Sequence, residues 1–218
     1  MNTGAGNKVI RTGDVFAGGP PNQRIWGKAK TAGPVRGYVK LSEAVGAFNF
    51  VFKDKIVLDI GSSTGGFTEY ALNHGAKRVI AVEKGSHQMK APLRFDPRIE
   101  LHEKQDIFDF KLSKEINVVV ADVSFLSLTK VLEYLKYNLP NREADMLMML
   151  KPQFEAREDQ LTKGIVKNEK IRRDIIKNFE QWLKQNDFLI IKKRDNATHG
   201  RHGNIERFYH LCFSRNRL

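Results

Sequence analysis

Short apolar runs alternate with segments of helical periodicity over residues 36–213. The β-branched run at residues 56–60 predicts a strand buried on both faces, because it offers water no polar positions. Comparable runs predict strands at residues 78–83, 98–103, 117–121, 146–150, 188–191 and 205–213. Helical spacing predicts helices after residue 40 and over residues 67–74, 128–137 and 169–186. Strands that alternate with helices predict an α/β fold with a mostly parallel sheet.

A glycine-rich turn, residues 61–66 (GSSTGG), follows the first strand and leads into a helix. In such a unit the ligand lies beyond the carboxyl end of the strand. A phosphate-binding loop is excluded because Phe67, and not lysine, follows the last glycine. The dinucleotide fingerprint is excluded because Gly61 and Gly65 are four residues apart. A ligand with a carboxylate, an amine, a ribose and an adenine fits better, and S-adenosylmethionine is that ligand; the alternative is a turn without a ligand.

Acidic residues after the first three strands are candidates for contacts to this cofactor. Asp59 and the turn would hold its amino-acid end, and Glu83 would accept from both ribose hydroxyls. Asp106 would accept from the adenine amino group, while Ile107 and Phe108 enclose the ring. An ordinary turn residue or helix cap is nearly as good an interpretation of Asp106.

Three more charged residues stand at the ends of predicted strands, where the cleft of an α/β sheet opens. Asp122 follows residues 117–121, and Lys151 emerges from an apolar strand just before Pro152, which stops the strand. Glu206 lies at the start of the last strand. Lys40 stands at the start of the first helix, where the helix dipole does not favour a lysine.

The net charge of +12 is unevenly distributed. Residues 1–55 hold nine Lys/Arg and three acidic residues, residues 56–156 hold thirteen and fourteen, and residues 157–218 hold fifteen and eight. Basic segments on both sides of a nearly neutral centre predict a polyanionic partner such as RNA. Solubility is the alternative. We expect residues 1–35 to form a flexible basic N-terminal arm and residues 36–218 to form the domain.

Composition also limits the cellular setting. The chain has no run of 18 apolar residues, and its polar N-terminus does not resemble a secretory signal, so neither membrane insertion nor secretion is expected. The lone Cys212 cannot form an internal disulfide, which suggests a reducing compartment and a cytoplasmic protein. The scattered histidines predict no metal site.

Four motifs together resemble the TlyA-type branch of the FtsJ-like RNA ribose 2′-O-methyltransferases. They are residues 36–41 (RGYVKL), 59–68 (DIGSSTGGFT), 122–125 (DVSF), and 151–155 (KPQFE) with 164–166 (GIV). The resemblance implies a Rossmann-like, mostly parallel seven-stranded sheet with helices on both faces and an antiparallel last strand. It also implies S-adenosylmethionine as methyl donor and RNA as substrate, with ribosomal RNA the expected kind. Because the match begins at residue 36, the branch's usual S4-type RNA-binding domain is expected to be missing.

The resemblance carries a Lys-Asp-Lys-Glu active site onto Lys40, Asp122, Lys151 and Glu206. Lys151 would lie nearest the ribose hydroxyl and help to deprotonate it. The cofactor-binding candidates are Asp59, Gly61, Ser63, Thr64, Gly65, Phe67, Glu83, Asp106, Ile107 and Asp122. Two other functions stay open, a non-enzymatic RNA-binding module and a methyltransferase that acts on a small molecule or a protein.

Overall fold

Seven strands form one sheet in the computed structural model, which describes residues 35–200 and 203–214. Their order is β3-β2-β1-β4-β5-β7-β6. Strands β1 to β5 pair in parallel, and β7 is antiparallel to both of its neighbours. The strands are β1 (Ile56–Ile60), β2 (Arg78–Glu83), β3 (Ile99–Glu103), β4 (Val118–Ala121), β5 (Asp145–Leu150), β6 (Phe188–Asp195) and β7 (Arg207–Phe213). The predicted fold class is therefore confirmed.

Helices cover both faces of this sheet. They are α1 (Arg36–Phe48), α2 (Gly66–Asn73), α3 (Leu128–Asn138), the short α4 (Pro152–Glu155) and α5 (Glu169–Gln185). Neighbouring strand residues enter opposite cores, since Val57 packs with α1 and α2 while Leu58 packs with α3 and α5. The central strands are apolar on both sides for this reason.

Two element boundaries differ from the prediction in ways that affect the site. Helix α1 begins at Arg36, so Lys40 lies in its second turn and is buried, not at the start of the helix. Strand β6 continues to Asp195, beyond the predicted end at residue 191. Its polar residues 192–194 are exposed because β6 is an edge strand that pairs only with β7. The predicted hairpin loop is correspondingly shorter.

Three further observations bear on the expectations from composition. The predicted arm lies outside the described residues, apart from Val35. No helix in residues 35–200 and 203–214 is long and apolar enough to cross a membrane. Over the same residues, no group of three or more histidine, cysteine or acidic side chains is arranged to hold a metal ion.

Candidate functional site

A cleft of about 950 Å³ opens at the carboxyl edge of the parallel strands, where strand order reverses beside β1. The α1 helix closes one side of it, and the segment before β7 closes another. Most of the predicted site residues line this one cleft. They are Lys40, Gly61, Ser63, Thr64, Phe67, Glu83, Asp106, Ile107, Asp122, Lys151 and Glu206. Asp59 and Gly65 do not.

The glycine-rich turn is shaped by left-handed backbone conformations. Gly61 has φ of 78° and donates its N–H to the Val82 carbonyl at 2.9 Å, which ties the turn to β2. Gly65 has φ of 90°, and a side chain there would lie 2.4 Å from Leu93 Cδ2. Gly65 is therefore required by the turn and its packing, and the structure gives it no direct contact with the cleft. The Ser62 hydroxyl does line the cleft, buried and without a hydrogen-bond partner among the described residues.

Asp59 lies beneath the turn instead of in the cleft. Its side chain is fully buried, and the Thr68 hydroxyl donates to Oδ2 at 2.6 Å. Burial raises the pKa of Asp59 to about 7, although the bond from Thr68 partly opposes this effect. Asp59 thus supports the first turn of α2 from below, and its predicted contact with a cofactor stays a prediction.

Glu83 is held at the cleft wall by hydrogen bonds from the glycine-rich turn and from the loop after β2. It accepts from the Ser63 backbone N–H at 2.9 Å, the Gly85 backbone N–H at 2.6 Å and the Gln88 amide at 3.2 Å. A carboxylate offers about four acceptor positions, so one remains for a ligand hydroxyl. By accepting from the Ser63 N–H, this carboxylate also holds the glycine-rich turn in place.

The structure confirms the cap at Asp106 and leaves its contact with adenine a prediction. The side chain lines the cleft, and it also caps a short 3₁₀ turn by accepting from Phe108 N at 3.2 Å. Lys84 Nζ lies 2.9 Å from Oδ2, and this neighbour lowers the pKa of Asp106. Ile107 is buried beside the cleft, whereas the Phe108 ring packs 5.7 Å from the Tyr134 ring, outside it. Of the two residues predicted to enclose the adenine ring, only Ile107 therefore lines the cleft, and the enclosure stays a prediction.

The four charged residues of the implied active site form two ion pairs at the cleft. Lys40 Nζ lies 2.5 Å from Glu206 Oε2, and Lys151 Nζ lies 2.6 Å from Asp122 Oδ1. Lys151 also donates to the Ser124 hydroxyl at 2.8 Å. Both lysines are buried, so each charge is balanced by its own carboxylate in a poorly solvated place.

Glu206 is positioned by hydrogen bonds that join its segment to two neighbouring parts of the chain. The Asn204 side chain is buried, accepts from Val166 N at 3.1 Å and donates to the Gly164 carbonyl at 3.1 Å. The Asn196 N–H donates to the Glu206 carbonyl at 2.9 Å. The motif at residues 164–166 thus supports the segment that carries Glu206.

Two residues of the motif at residues 151–155, Glu155 and Phe154, make contacts of different kinds. Glu155 accepts from the Ser127 hydroxyl and from Leu128 N, both at 2.6 Å, and so caps α3 and anchors α4. The Phe154 ring lies 5.2 Å from that of Phe125, whose side chain is 92% exposed at the mouth of the cleft. Both phenylalanines belong to the sequence motifs, yet the sequence assigned neither a role, because an aromatic residue beside a strand resembles ordinary core.

Comparison with known proteins identifies the type of domain. The model of the family described as FtsJ-like methyltransferase matches residues 34–213. The chain is 38% identical over 177 residues to Hemolysin A of Brachyspira hyodysenteriae, which covers 79% of this chain and 73% of that protein. It is 33% identical over 177 residues to the 23S rRNA (cytidine-2′-O)-methyltransferase TlyA of Campylobacter jejuni, covering 80% and 69%. A solved structure of a candidate hemolysin from Streptococcus thermophilus superimposes with a TM-score of 0.78 at 32% identity, covering 87% of this chain and 70% of that one.

Proposed function

The chain belongs to the FtsJ-like methyltransferase family, and on that premise we propose that it methylates ribose 2′-hydroxyl groups in ribosomal RNA with S-adenosylmethionine as the donor. The observation that carries this proposal is the pair of buried lysines in contact with carboxylates, Lys40–Glu206 and Lys151–Asp122, at one cleft beside the glycine-rich turn. The relative from Campylobacter jejuni is named for this reaction on 23S rRNA.

The cofactor side of the cleft fits S-adenosylmethionine by its donor set. The buried Ser62 hydroxyl lacks a partner among the described residues, and Gly61 brings backbone close to the cleft. Glu83 keeps an acceptor position for a ribose hydroxyl, and Asp106 offers an acceptor near the end of β3. When bound, S-adenosylmethionine supplies a methyl group activated by a sulfonium. The carboxylate of Asp122 would balance that positive charge.

The substrate side of the cleft supplies positioning and proton transfer. In its deprotonated form Lys151 would accept a hydrogen bond from the 2′-hydroxyl, orient its oxygen and take its proton as that oxygen attacks the methyl carbon, which is general-base catalysis. Asp122 and Ser124 hold Lys151 in place through contacts of 2.6 and 2.8 Å. Lys40, fixed by Glu206, would attract the neighbouring phosphate.

Binding of a long polyanion is supported by charge around the cleft. Lys163 and Lys167 are exposed on the loop that Asn204 ties to the active site. Lysines of this kind attract phosphates without reading sequence. The exposed Phe125 ring offers a stacking surface for a base. We place this reaction in the cytoplasm, where ribosomal RNA is found.

The decisive experiment maps 2′-O-methyl groups by mass spectrometry in ribosomal RNA, with and without the protein. One nucleotide that gains a methyl group only with the active protein supports the proposal. Cofactor binding without any methylated RNA would favour a small-molecule or protein substrate. RNA binding without cofactor binding would favour a non-enzymatic module, and calorimetry with S-adenosylmethionine separates these two outcomes.

A further inference from the structure

Gln153 lines the cleft with an amide that the protein leaves unused. Its Oε1 atom is inaccessible to water, and within residues 35–200 and 203–214 it has no hydrogen-bond partner. Two other glutamines line the same cleft with partners of their own, since Gln88 donates to Glu83 and Gln105 donates to the Asp106 carbonyl. An unpaired buried amide oxygen is costly, so we expect the terminal amide to turn toward a partner that a ligand supplies.

The position of Gln153 separates it from the cofactor candidates. Apart from Asp122, which follows β4, those residues lie in or after β1, β2 and β3, whereas Gln153 belongs to α4, directly after β5. In the sheet, β4 lies between β1 and β5, so Gln153 stands on the side of Lys151 and Glu206. A ligand group that meets this amide is therefore a part of the RNA substrate and not of the methyl donor.

The neighbours of Gln153 indicate which part of the RNA it meets. Lys151 lies two residues earlier, and the adjacent Phe154 ring forms a pair with the exposed ring of Phe125 at 5.2 Å. A nucleotide with its 2′-hydroxyl at Lys151 would bring its base toward these two rings, which offer stacking faces. An amide beside a stacked base can contact the edge of that base.

We propose that Gln153 reads the base edge of the nucleotide that is methylated, an inference that rests on the proposed function. Its amide has an acceptor oxygen beside a donor NH2 group, and cytosine and uracil present a donor and an acceptor on their pairing edges in opposite order. An amide held in one orientation matches one pyrimidine and places like groups against the other. Gln153 is thus a specificity-determining residue and takes no part in proton transfer.

The test uses the full chain and transcripts of the mapped ribosomal RNA segment with cytosine, uracil, adenine or guanine at the methylated position. The parent protein is expected to prefer one pyrimidine over the other by about tenfold or more in kcat/KM, the discrimination typical of a good two-point contact. In Gln153→Met, which keeps the side-chain length, this ratio is expected to fall toward one. The affinity for S-adenosylmethionine and the melting temperature should stay close to those of the parent.

Gln105→Met is the matched control, because it removes a glutamine amide from the cofactor side of the same cleft. It should leave the base ratio unchanged. Gln153→Glu provides a polar second variant of equal size, which should also alter the ratio because its carboxylate cannot donate. An unchanged ratio in both Gln153 variants, or no base preference in the parent, overturns this inference and leaves ribose methylation intact. Failure of the parent to methylate any transcript overturns both proposals.

Discussion

Lys40 Nζ lies 2.5 Å from Glu206 Oε2, although the two residues are 166 positions apart in the sequence. Their side chains are only 6% and 3% exposed. In a poorly solvated pair, removal of one partner leaves the other charge without compensation, whereas removal of both does not. The contribution of this pair to stability can therefore be separated from its contribution to activity.

We expect Glu206→Met to lower the free energy of unfolding by about 3–5 kcal/mol, because Lys40 would remain buried and unpaired. The double variant Lys40→Met with Glu206→Met should recover part of this loss and still fail to methylate RNA. Urea denaturation and methyl-transfer assays measure the two effects. The exposed pair Arg157–Asp159 is the control, and Asp159→Ala should leave stability close to that of the parent. An active double variant would remove the pair from the catalytic assignment.

Lys151→Met should reduce methyl transfer by about 10²- to 10⁴-fold or more, the usual contribution of a general base. Lys151→Arg should fail as well, because a guanidinium does not lose its proton in proteins. Calorimetry should give a cofactor affinity near that of the parent for both variants. Lys130, exposed on α3, provides the control Lys130→Met. Near-parent transfer by a folded Lys151→Met protein would refute the role given to Lys151.

Asp59→Asn should change how stability depends on pH. The pKa of Asp59 rises from 3.8 to about 7 on burial, so between these values the folded protein binds more protons than the unfolded chain. Asp59 therefore makes the free energy of unfolding fall as pH rises from about 4 to 7, by at most about 1.4 kcal/mol per pH unit, and adds no further change above pH 7.

The asparagine side chain of this variant can still accept from the Thr68 hydroxyl but does not ionise. The variant should therefore lack the pH dependence of the free energy of unfolding that Asp59 causes. Urea unfolding of parent and variant at several pH values between about 4 and 8 provides the comparison. The parent should lose stability relative to the variant as pH rises through this window. Parallel curves would mean that Asp59 does not titrate in the folded protein with a raised pKa.

Glu155→Ala should destabilise the protein by about 1–3 kcal/mol, because the Leu128 N–H at the start of α3 is left without its acceptor and the Ser127 hydroxyl loses one of its partners. Methyl transfer should fall because α4 is no longer anchored beside Lys151, while cofactor affinity should change little. Thermal unfolding and kcat measurements test this expectation. Glu158→Ala, an exposed change three residues later, is the control. Equal stability of the two variants would show that the cap is unimportant.

Lys163→Gln and Lys167→Gln should each weaken RNA binding and reduce its salt dependence. The slope of log affinity against log salt should fall by about 0.7 for each phosphate of single-stranded RNA that is no longer neutralised, and by about 0.9 for a phosphate in a duplex. Lys184→Gln, an exposed change near the end of α5, should leave the slope unchanged. If all three variants keep the salt-dependence slope of the parent, the RNA does not contact this loop.

The sequence by itself determined the elements whose signal is local. Apolar runs predicted the central strands, and helical spacing predicted that α5 begins at residue 169, directly after Asn168, whose side chain accepts from Lys170 N and Ile171 N. The glycine-rich turn was also predictable, because left-handed backbone favours glycine. The extension of β6 over residues 192–194 was missed, since an edge strand can hold polar residues on its exposed side.

Only the tertiary structure decided which side chains meet in the cleft. Asp59 lies in a buried strand and Asp122 directly follows one. Asp59 nevertheless lies below the turn, whereas Asp122 lines the cleft. The sequence placed Lys40 at the start of a helix, and packing of α1 against the sheet brought it to Glu206. Such contacts depend on strand order, on helix packing and on the direction of each side chain. These are relations between distant segments, and the periodicity of a single segment carries no information about them.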